Sequence, residues 1–168
     1  MTRDLLAARP IDHCYTSPLQ RAVNTAVILA EPHDLRPEPH EGLIECDVGR
    51  WEGLDWQTIQ IEDPVAYDRY MANPAENGYP GGEGIAEVYA RAAATLDALL
   101  DRHQGETILV VSHHIVTGTY LAQLLGLGLA KARQVALENC SISTVIRECG
   151  ETWVGTLNAS FHLQGVAA

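Results

Sequence analysis

The sequence predicts a single α/β domain over residues 1–168: a three-layer α/β/α sandwich around a mostly parallel central sheet. Strand-like and helix-like segments alternate along most of the chain, which is typical of a parallel sheet covered by helices. The TILVVS run at residues 107–112 is apolar and rich in β-branched side chains, as in a strand that is buried on both faces. A chain of 168 residues is also long enough for one domain with its own core.

The first predicted strand and helix meet at a polar turn. Residues 11–15 are short, apolar and bounded by turn residues, which predicts a strand. Residues 18–30 predict a helix that begins with Ser17 as its N-cap and Pro18 at the first helical position. Gln20 would then complete a Ser-x-x-Gln capping box.

The middle of the chain is predicted to be helical and to contain one loop. Residues 54–71 contain short helical pieces, and residues 73–84, with Asn-Pro, Tyr-Pro and several glycines, predict a loop. From Ile85 to Leu100, apolar residues recur at three- and four-residue spacing, which predicts an amphipathic helix. After the central strand come a predicted helix and two predicted strands joined by a tight turn, at residues 115–125, 140–148 and 152–160.

Composition and charge narrow the range of partners. The chain carries 22 acidic and 11 basic residues, a net charge of -11, which argues against binding to nucleic acid or to an anionic membrane. No apolar stretch approaches the ~18 residues of a membrane span, and the first residues lack a signal-peptide core. The four scattered cysteines are expected to be reduced and mostly buried, as in a cytoplasmic protein. An anionic small molecule stays compatible with this composition because it responds to the local field.

Arg21 is a candidate anion-binding residue because it lies in the first turn of a predicted helix. That end of a helix carries unpaired N–H groups and partial positive charge, so a cation there is unfavourable unless an anion binds. Helical side chains lean toward the N-terminus, and a guanidinium fork suits phosphate or carboxylate. We therefore expect Arg21 and the helix start to share one anion. The alternative is a surface ion pair with Glu31 or Asp34.

Two histidines follow the predicted central strand. His113 lies where the strand leaves the sheet, and ligands usually bind at the carboxyl ends of strands in open α/β sheets. The alternative is a core histidine bonded to the backbone. A metal site formed by His113 and His114 is less favoured, because adjacent side chains diverge and no acidic ligand lies at metal-site spacing.

Carboxylates in the GLIECDVGRWEG segment are candidate proton donors. Glu45, Asp47 and Glu52 would ordinarily be solvated in such a glycine-punctuated loop. A carboxyl group held beside a bound phosphate, however, has a raised pKa and can act as a general acid. The YPGGEG turn at residues 79–84 is better explained as a loop built for its glycines than as a catalytic site for Glu83.

Taken in order, five motifs resemble the histidine phosphatase superfamily, whose fold is phosphoglycerate-mutase-like. They are TSPLQRAVNTA, LIECDVGRWEG, PGGEG before a helix, ILVVSHH and NCSIS. In that family a histidine is phosphorylated in a pocket of arginines and a second histidine, and a carboxylic acid protonates the leaving group. The resemblance implies that Arg21, Ser17, His113 and His114 bind phosphate. It also implies that His113 is the second histidine and that Glu45 is the acid. It implies no metal and no cofactor.

The resemblance is incomplete at the front of the chain. In the family the first strand ends in Arg-His-Gly and supplies the nucleophilic histidine, and the 168 residues contain no such motif. His13 cannot replace it because it lies inside a predicted strand. A first strand is therefore expected to be missing beside residues 107–112, and losing about five buried side chains would cost roughly 7–15 kcal/mol. We expect poor folding, self-association through open sheet edges, or, as the favoured explanation, an incomplete part of a longer protein.

The sequence thus predicts a metal-independent phosphomonoester hydrolase of the phosphohistidine type, expected to be inactive without its nucleophile. Its expected partner is a small phosphorylated substrate or inorganic phosphate. One alternative is a pseudo-enzyme or phosphate-binding module, and another is a phosphoglycerate-mutase-type phosphotransferase. Phosphatase is favoured over mutase because the short stretch between Trp51 and Gly81 leaves little room for an elaborate lid.

Overall fold

A three-stranded parallel sheet forms the centre of the molecule, which a computed structural model describes over residues 1–164. Strand β1 (His13–Thr16) lies between β2 (Glu38–Pro39) and β3 (Ile108–Val111) and pairs with both in parallel. The predicted α/β fold with a parallel sheet is confirmed. Both predicted parallel strands are present within two residues of their expected bounds.

Seven α-helices accompany the sheet within residues 1–164, and none of them is both long enough and apolar enough to cross a membrane. They are α1 (Thr2–Ala7), α2 (Gln20–Ala30), α3 (Trp56–Glu62), α4 (Pro64–Ala72), α5 (Pro74–Asn77), α6 (Ile85–Arg102) and α7 (His114–Leu124). Helices α3, α4, α6 and α7 confirm the helical predictions for their segments. Helix α5 does not, since it falls in the predicted loop, where Pro74 follows Asn73 and starts a single turn.

The sheet separates two helical layers because successive strand residues point to opposite faces. One face packs against α2, through Cys14, Leu109 and Val111 of the strands and Ala26 and Ala30 of the helix. The other face packs toward α6, through Tyr15, Ile108 and Val110 of the strands and Leu96 and Leu99 of the helix. This alternation gives the helix–sheet–helix layering that the sequence predicts.

Helix α2 begins at Gln20, two residues later than predicted, and the predicted capping box is wrong. Leu19 holds the N-cap position, and its N–H donates to Ser17 Oγ at 3.2 Å. The Gln20 side chain donates to Asn24 Oδ1 at 2.7 Å instead. The reason is that Ser17 is buried and still belongs to the sheet: its N–H donates to Val111 O at 2.9 Å.

The predicted hairpin is present but forms a sheet of its own. Strands β4 (Ile142–Glu148) and β5 (Glu151–Ala159) are antiparallel, and within residues 1–164 neither pairs with the parallel sheet. Over the same residues β3 has β1 as its one neighbouring strand. Helices cover both faces of β3, as predicted, but its four residues are only partly buried because one edge of the strand is open within residues 1–164.

All four cysteines are free, and two of them are buried. Burial raises the pKa of Cys14 to about 11 and that of Cys46 to about 12, so both are protonated thiols at neutral pH. Cys140 and Cys149 are exposed, so the prediction of mostly buried thiols holds for half of them.

Aromatic side chains form the core between α3, α4 and α6. The Trp51 ring packs edge-on against Tyr70 and Tyr79, at centroid distances of 5.4 and 6.0 Å. Tyr70 is completely buried, and its hydroxyl donates to Tyr79 Oη at 2.6 Å. On the outer side, the Arg133 guanidinium lies 4.6 Å from the centre of the Trp56 ring. This cluster attaches the α3–α5 segment to the main body of the domain.

The Tyr70–Tyr79 hydrogen bond leads to a test of this core. Replacing Tyr70→Phe keeps the packing but leaves the buried Tyr79 hydroxyl without its donor. We expect the free energy of unfolding to fall by about 1–3 kcal/mol, measured by urea denaturation. Tyr67→Phe is the matched control, because the Tyr67 hydroxyl has no hydrogen-bond partner within residues 1–164. Equal effects of the two substitutions would contradict the assignment.

Candidate active site

The parallel pairing of β1 with β3 brings two strand ends side by side. The register matches Thr16 with Val111, and the Ser17 N–H extends it by donating to Val111 O. Ser112 and His113, which follow β3, therefore leave the sheet beside Ser17. Because both strands run in the same direction, this is the carboxyl edge of the sheet, where open α/β folds bind ligands.

A hydrogen bond joins the two strand ends: Ser17 Oγ and His113 Nε2 are 2.7 Å apart. Ser17 is fully buried, and its Oγ also accepts the Leu19 N–H. Because the Ser17 hydroxyl has no other acceptor within residues 1–164, we assign its proton to the bond with His113, so that Nε2 is the acceptor and Nδ1 carries the ring proton. The pair is a polar contact built into the end of the sheet.

Burial lowers the pKa of His113 below its usual value of 6.5, and nearby charges modify that effect. The Glu45 carboxylate raises the pKa, whereas the guanidinium groups of Arg21 and Arg91 lower it. The imidazole is thus neutral at neutral pH, in agreement with the tautomer assigned above. One carboxylate and two guanidinium groups lie within electrostatic range of this ring.

Arg21 lies in the first turn of α2, as predicted, and its side chain is exposed. The alternative ion pairs proposed for it are absent over residues 1–164. Glu31 pairs with Arg3 instead, and Asp34 forms no ion pair there. The cation at the start of α2 is therefore available to an anion from solution.

Glu45 is half-buried and is held by its own backbone and by an arginine of α6. Its Oε1 accepts the N–H of Cys46 at 2.9 Å. Arg91 Nη1 donates to the carbonyl oxygens of Gly42 and Ile44 at 3.1 and 2.6 Å, and Nη2 donates to Glu45 O at 3.3 Å. One guanidinium group thus fixes the backbone on both sides of Ile44.

Glu83 completes this support. It pairs with Arg91 through two bonds, Nε to Oε1 at 2.8 Å and Nη2 to Oε2 at 2.9 Å. The Asp47 N–H donates to Glu83 Oε2 at 3.0 Å, and the Glu83 N–H donates to Asp47 O at 2.8 Å. The hydrogen bonds from Arg91 lower the pKa of Glu83, so it is a carboxylate at neutral pH. Its role in the structure is to position the segment that carries Glu45.

His114 is separated from this group. It is the first residue of α7, is exposed, and borders a small cavity that is also lined by Pro74, Ile85 and Arg133. Of the residues predicted to bind phosphate, Ser17 and His113 are in contact, and Arg21 acts on His113 through its charge. The phosphate-binding roles of Ser17, Arg21, His113 and His114 stay predictions, as does the role of Glu45 as the acid.

Sequence reasoning missed the supporting residues. Arg91 lies three residues after Val88 and four before Thr95, which are both buried. This helical spacing indicates that Arg91 lies on the inner face of α6. Ser112 was also missed: its Oγ donates to Leu43 O at 2.8 Å and ties the end of β3 to the Glu45 segment. A serine at a strand end carries no comparable signal.

The support by Arg91 can be tested by substitution. Arg91→Ala removes two bonds to Glu83 and three to backbone carbonyls, and we expect the free energy of unfolding to fall by about 1.5–3 kcal/mol in urea denaturation. Arg50→Ala is the matched control: its side chain is 68% exposed and pairs with Asp63, so its loss should cost about 0–1 kcal/mol. A cost for Arg91→Ala as small as that of the control would contradict the role.

Comparison with known proteins matches this chain to one family and to relatives named as phosphatases. Residues 2–160 match the histidine phosphatase superfamily (branch 1). Phosphoserine phosphatase 1 of Hydrogenobacter thermophilus is 31% identical over 158 residues, which cover 94% of this chain and 75% of that protein.

Solved structures agree with these sequence matches. Bacillus stearothermophilus YhfR matches with a TM-score of 0.90 and 27% identity, over 97% of this chain and 81% of that one. A mutant phosphoserine phosphatase from Entamoeba histolytica, solved in complex with phosphoserine, matches with a TM-score of 0.80 and 27% identity, over 96% of this chain and 82% of that one. Since the family match spans nearly all of the described fold, this chain belongs to the histidine phosphatase superfamily.

Proposed function

We propose that this chain forms the phosphate-binding part of a metal-independent phosphomonoesterase that works through a phosphohistidine and acts on a small phosphorylated metabolite. The observation that carries the proposal is the Ser17–His113 hydrogen bond at the carboxyl edge of the sheet, with the charges of Arg21 and Glu45 acting on the same imidazole. The relatives named as phosphoserine phosphatases support hydrolysis of phosphomonoesters. They also make phosphoserine the first substrate to assay.

Each residue has a distinct role in this proposal. Arg21 and the start of α2 bind the phosphate oxygens, since a guanidinium fork and free N–H groups both complement an oxyanion. The Ser17 hydroxyl donates to the phosphate or to His113, depending on whether an anion is bound. His113 takes up a proton when the anion enters and then adds a positive charge where the transition state gathers negative charge. The Glu45 carboxyl group donates a proton to the leaving oxygen.

The phosphorylated histidine is the component that these 168 residues do not supply. The family resemblance assigns it to an Arg-His-Gly motif at the end of a strand, and the sequence contains no such motif. The edge of β3 that faces away from β1 has no strand neighbour within residues 1–164, and an added parallel strand there would end beside His113. We propose that the 168 residues bind phosphate and that turnover requires such a strand.

A phosphate-binding module without turnover is the second candidate, and the missing motif is the observation that favours it. A mutase is less favoured, because residues 51–81 fold into three short helices rather than an extended lid. The exposed edge of β3 supports self-association as a further proposal. We also propose a cytoplasmic location, on the free state of all four thiols.

The lowered pKa of His113 predicts how anion binding depends on pH. Sulfate keeps its charge between pH 5 and 9, and a bound dianion would raise the His113 pKa above its unliganded value. Binding should then take up a proton in the window between the two pKa values, so sulfate affinity should fall as the pH rises through that window. Calorimetry in buffers of different ionisation enthalpy measures this uptake.

Two variants sharpen the sulfate experiment. His113→Gln should abolish the proton uptake, whereas His162→Gln, at a histidine that contacts Thr2 and Cys140, should retain it. Arg21→Ala should weaken sulfate binding by about 10–100-fold, the equivalent of losing charge-assisted hydrogen bonds. Unchanged affinity in both the Arg21 and His113 variants would place the anion elsewhere.

Turnover is tested by supplying the missing motif. We expect the 168-residue chain to bind inorganic phosphate but not to hydrolyse p-nitrophenyl phosphate. A strand and turn ending in Arg-His-Gly, fused before residue 1, should confer hydrolysis that a chelator does not inhibit. In the fused protein, Glu45→Gln should lower kcat by roughly 10²–10⁴-fold, as expected for loss of a general acid.

The control fusion carries Arg-Asn-Gly in place of Arg-His-Gly and should bind phosphate without hydrolysing the ester. Hydrolysis by the unfused chain, dependent on Arg21, would mean that another nucleophile acts and would overturn the phosphohistidine proposal. Phosphate binding by the fused protein without any turnover would leave the binding module as the correct function.

A further inference from the structure

A second group of chemically active side chains lies at the opposite end of the parallel strands. His13 is the first residue of β1, His103 follows the last turn of α6, and Glu106 lies just before β3. The candidate active site is at the other ends of β1 and β3. The proposed function uses none of these three residues. His13 is far from His103 and Glu106 in the sequence, so no sequence motif contains all three.

The three side chains converge on one point. Glu106 Oε2 lies 3.2 Å from His13 Nε2 and 2.7 Å from His103 Nδ1. One ligand atom from each residue lies within 4.8 Å of the other two, and the imidazole centroids are 4.1 Å apart. Without a metal, Glu106 Oε2 would accept one hydrogen bond from each imidazole, through its two lone pairs. A cation between the three atoms would replace both protons.

A fourth residue orients the buried histidine. The His103 side chain is 8% exposed, and its Nε2 lies 2.8 Å from Tyr15 Oη. Tyr15 is itself buried. When Nε2–H donates to the tyrosine oxygen, the lone pair of Nδ1 points to the shared position beside Glu106. Metal-binding histidines are commonly held in this way, with the second ring nitrogen bonded to a fixed acceptor.

The set of ligand atoms selects the class of metal. Two imidazole nitrogens and one carboxylate oxygen suit first-row divalent transition metals, and they match three-ligand zinc sites that leave one position to water. Mg²⁺ and Ca²⁺ need more oxygen ligands than one carboxylate offers. The side chains of His13 and Glu106 are 39% and 45% exposed, so an ion can enter directly from solvent and keep a water ligand.

We propose that His13, His103 and Glu106 form a binding site for a first-row divalent transition metal, with Zn²⁺ the best match. The ion would clamp the start of β1 to the connection between α6 and β3. Asp12 and Thr107 already join these points, through Asp12 N–H to Thr107 O and Thr107 N–H to Asp12 Oδ2, both at 2.8 Å. The site stabilises the strand pair that carries the candidate active site and takes no part in its chemistry.

The test is Zn²⁺ binding by calorimetry to tag-free, chelator-treated protein that carries Cys140→Ser and Cys149→Ser, because those exposed thiols would also bind zinc. We expect one ion per chain and a rise in Tm with Zn²⁺. His13→Asn and Glu106→Gln should each weaken binding roughly tenfold or more, and Tyr15→Phe should weaken it by about 10–100-fold. Mg²⁺ should neither bind nor compete.

Two controls separate this site from adventitious binding. His162→Asn and Glu138→Gln change the same residue types elsewhere and should leave the stoichiometry and affinity unchanged. Co²⁺ should give visible absorption bands of a four-coordinate ion in the parent protein and lose them in His13→Asn, while circular dichroism shows that the variant is folded. Zinc binding that is equally strong in His13→Asn, Glu106→Gln and the parent would overturn the proposal, as would the absence of stoichiometric binding.

Discussion

The pairing of β1 with β3 positions the side chains at both ends of these two strands. It consists of four residue pairs, from His13 with Ile108 to Thr16 with Val111. At the carboxyl end the register sets Ser17 beside His113. At the amino end it brings His13 to the turn that carries Glu106. Because side chains alternate along a strand, a slip of one residue would turn Cys14 toward α6 and Tyr15 toward α2, with loss of both helical layers. The polar groups at the two strand ends thus rely on the apolar packing between them.

The second level of organisation is the segment that carries Glu45, which has little regular structure of its own. Arg91 compensates by acting as a single bridging group: it bonds to backbone carbonyls on one side and to Glu83 on the other. A helix that is rigid through its contacts with the sheet thereby fixes a loop that otherwise has only turns. Partial burial of the Arg91 side chain is acceptable because it donates five hydrogen bonds to carbonyl and carboxylate oxygens, including both oxygens of Glu83. Arg91 thus has two effects: it positions the segment that carries Glu45, and its positive charge lowers the pKa of His113.

Most of the fold could be predicted from periodicity and turn residues, since α6, the parallel strands and the hairpin all have strong local patterns. The start of α2 could not, because Ser17 looks like an N-cap until its pairing with β3 is known. The exposure of β3 depends on which strands lie beside it, and a run of apolar residues does not report its neighbours. Ser17, Arg21, Glu45 and His113 were found as candidates through position and motif. The spacing of buried residues in α6 places Arg91 on its inner face but does not predict its partners at Gly42, Ile44 and Glu45. The His13 cluster was not found because His13 is distant in sequence from His103 and Glu106.

The α3–α5 segment leaves the domain and returns to it at nearly the same point, since the Arg50 N–H donates to Pro80 O at 3.0 Å. Gly49 and Gly82 make this crossing feasible: a Cβ on Gly49 would lie 2.4 Å from Pro80 O, and one on Gly82 would lie 2.2 Å from Asp47 O. With both ends joined by these contacts, added flexible residues cost little loop-closure entropy, about 0.6 kcal/mol for each doubling of a flexible loop. The buried Tyr70 of α4, in contrast, packs in one core cluster with Ile85 and Val88 of α6. Insertions at exposed positions of this segment are therefore tolerable because its two ends stay joined, whereas exchange of the whole segment would remove Tyr70 from the core.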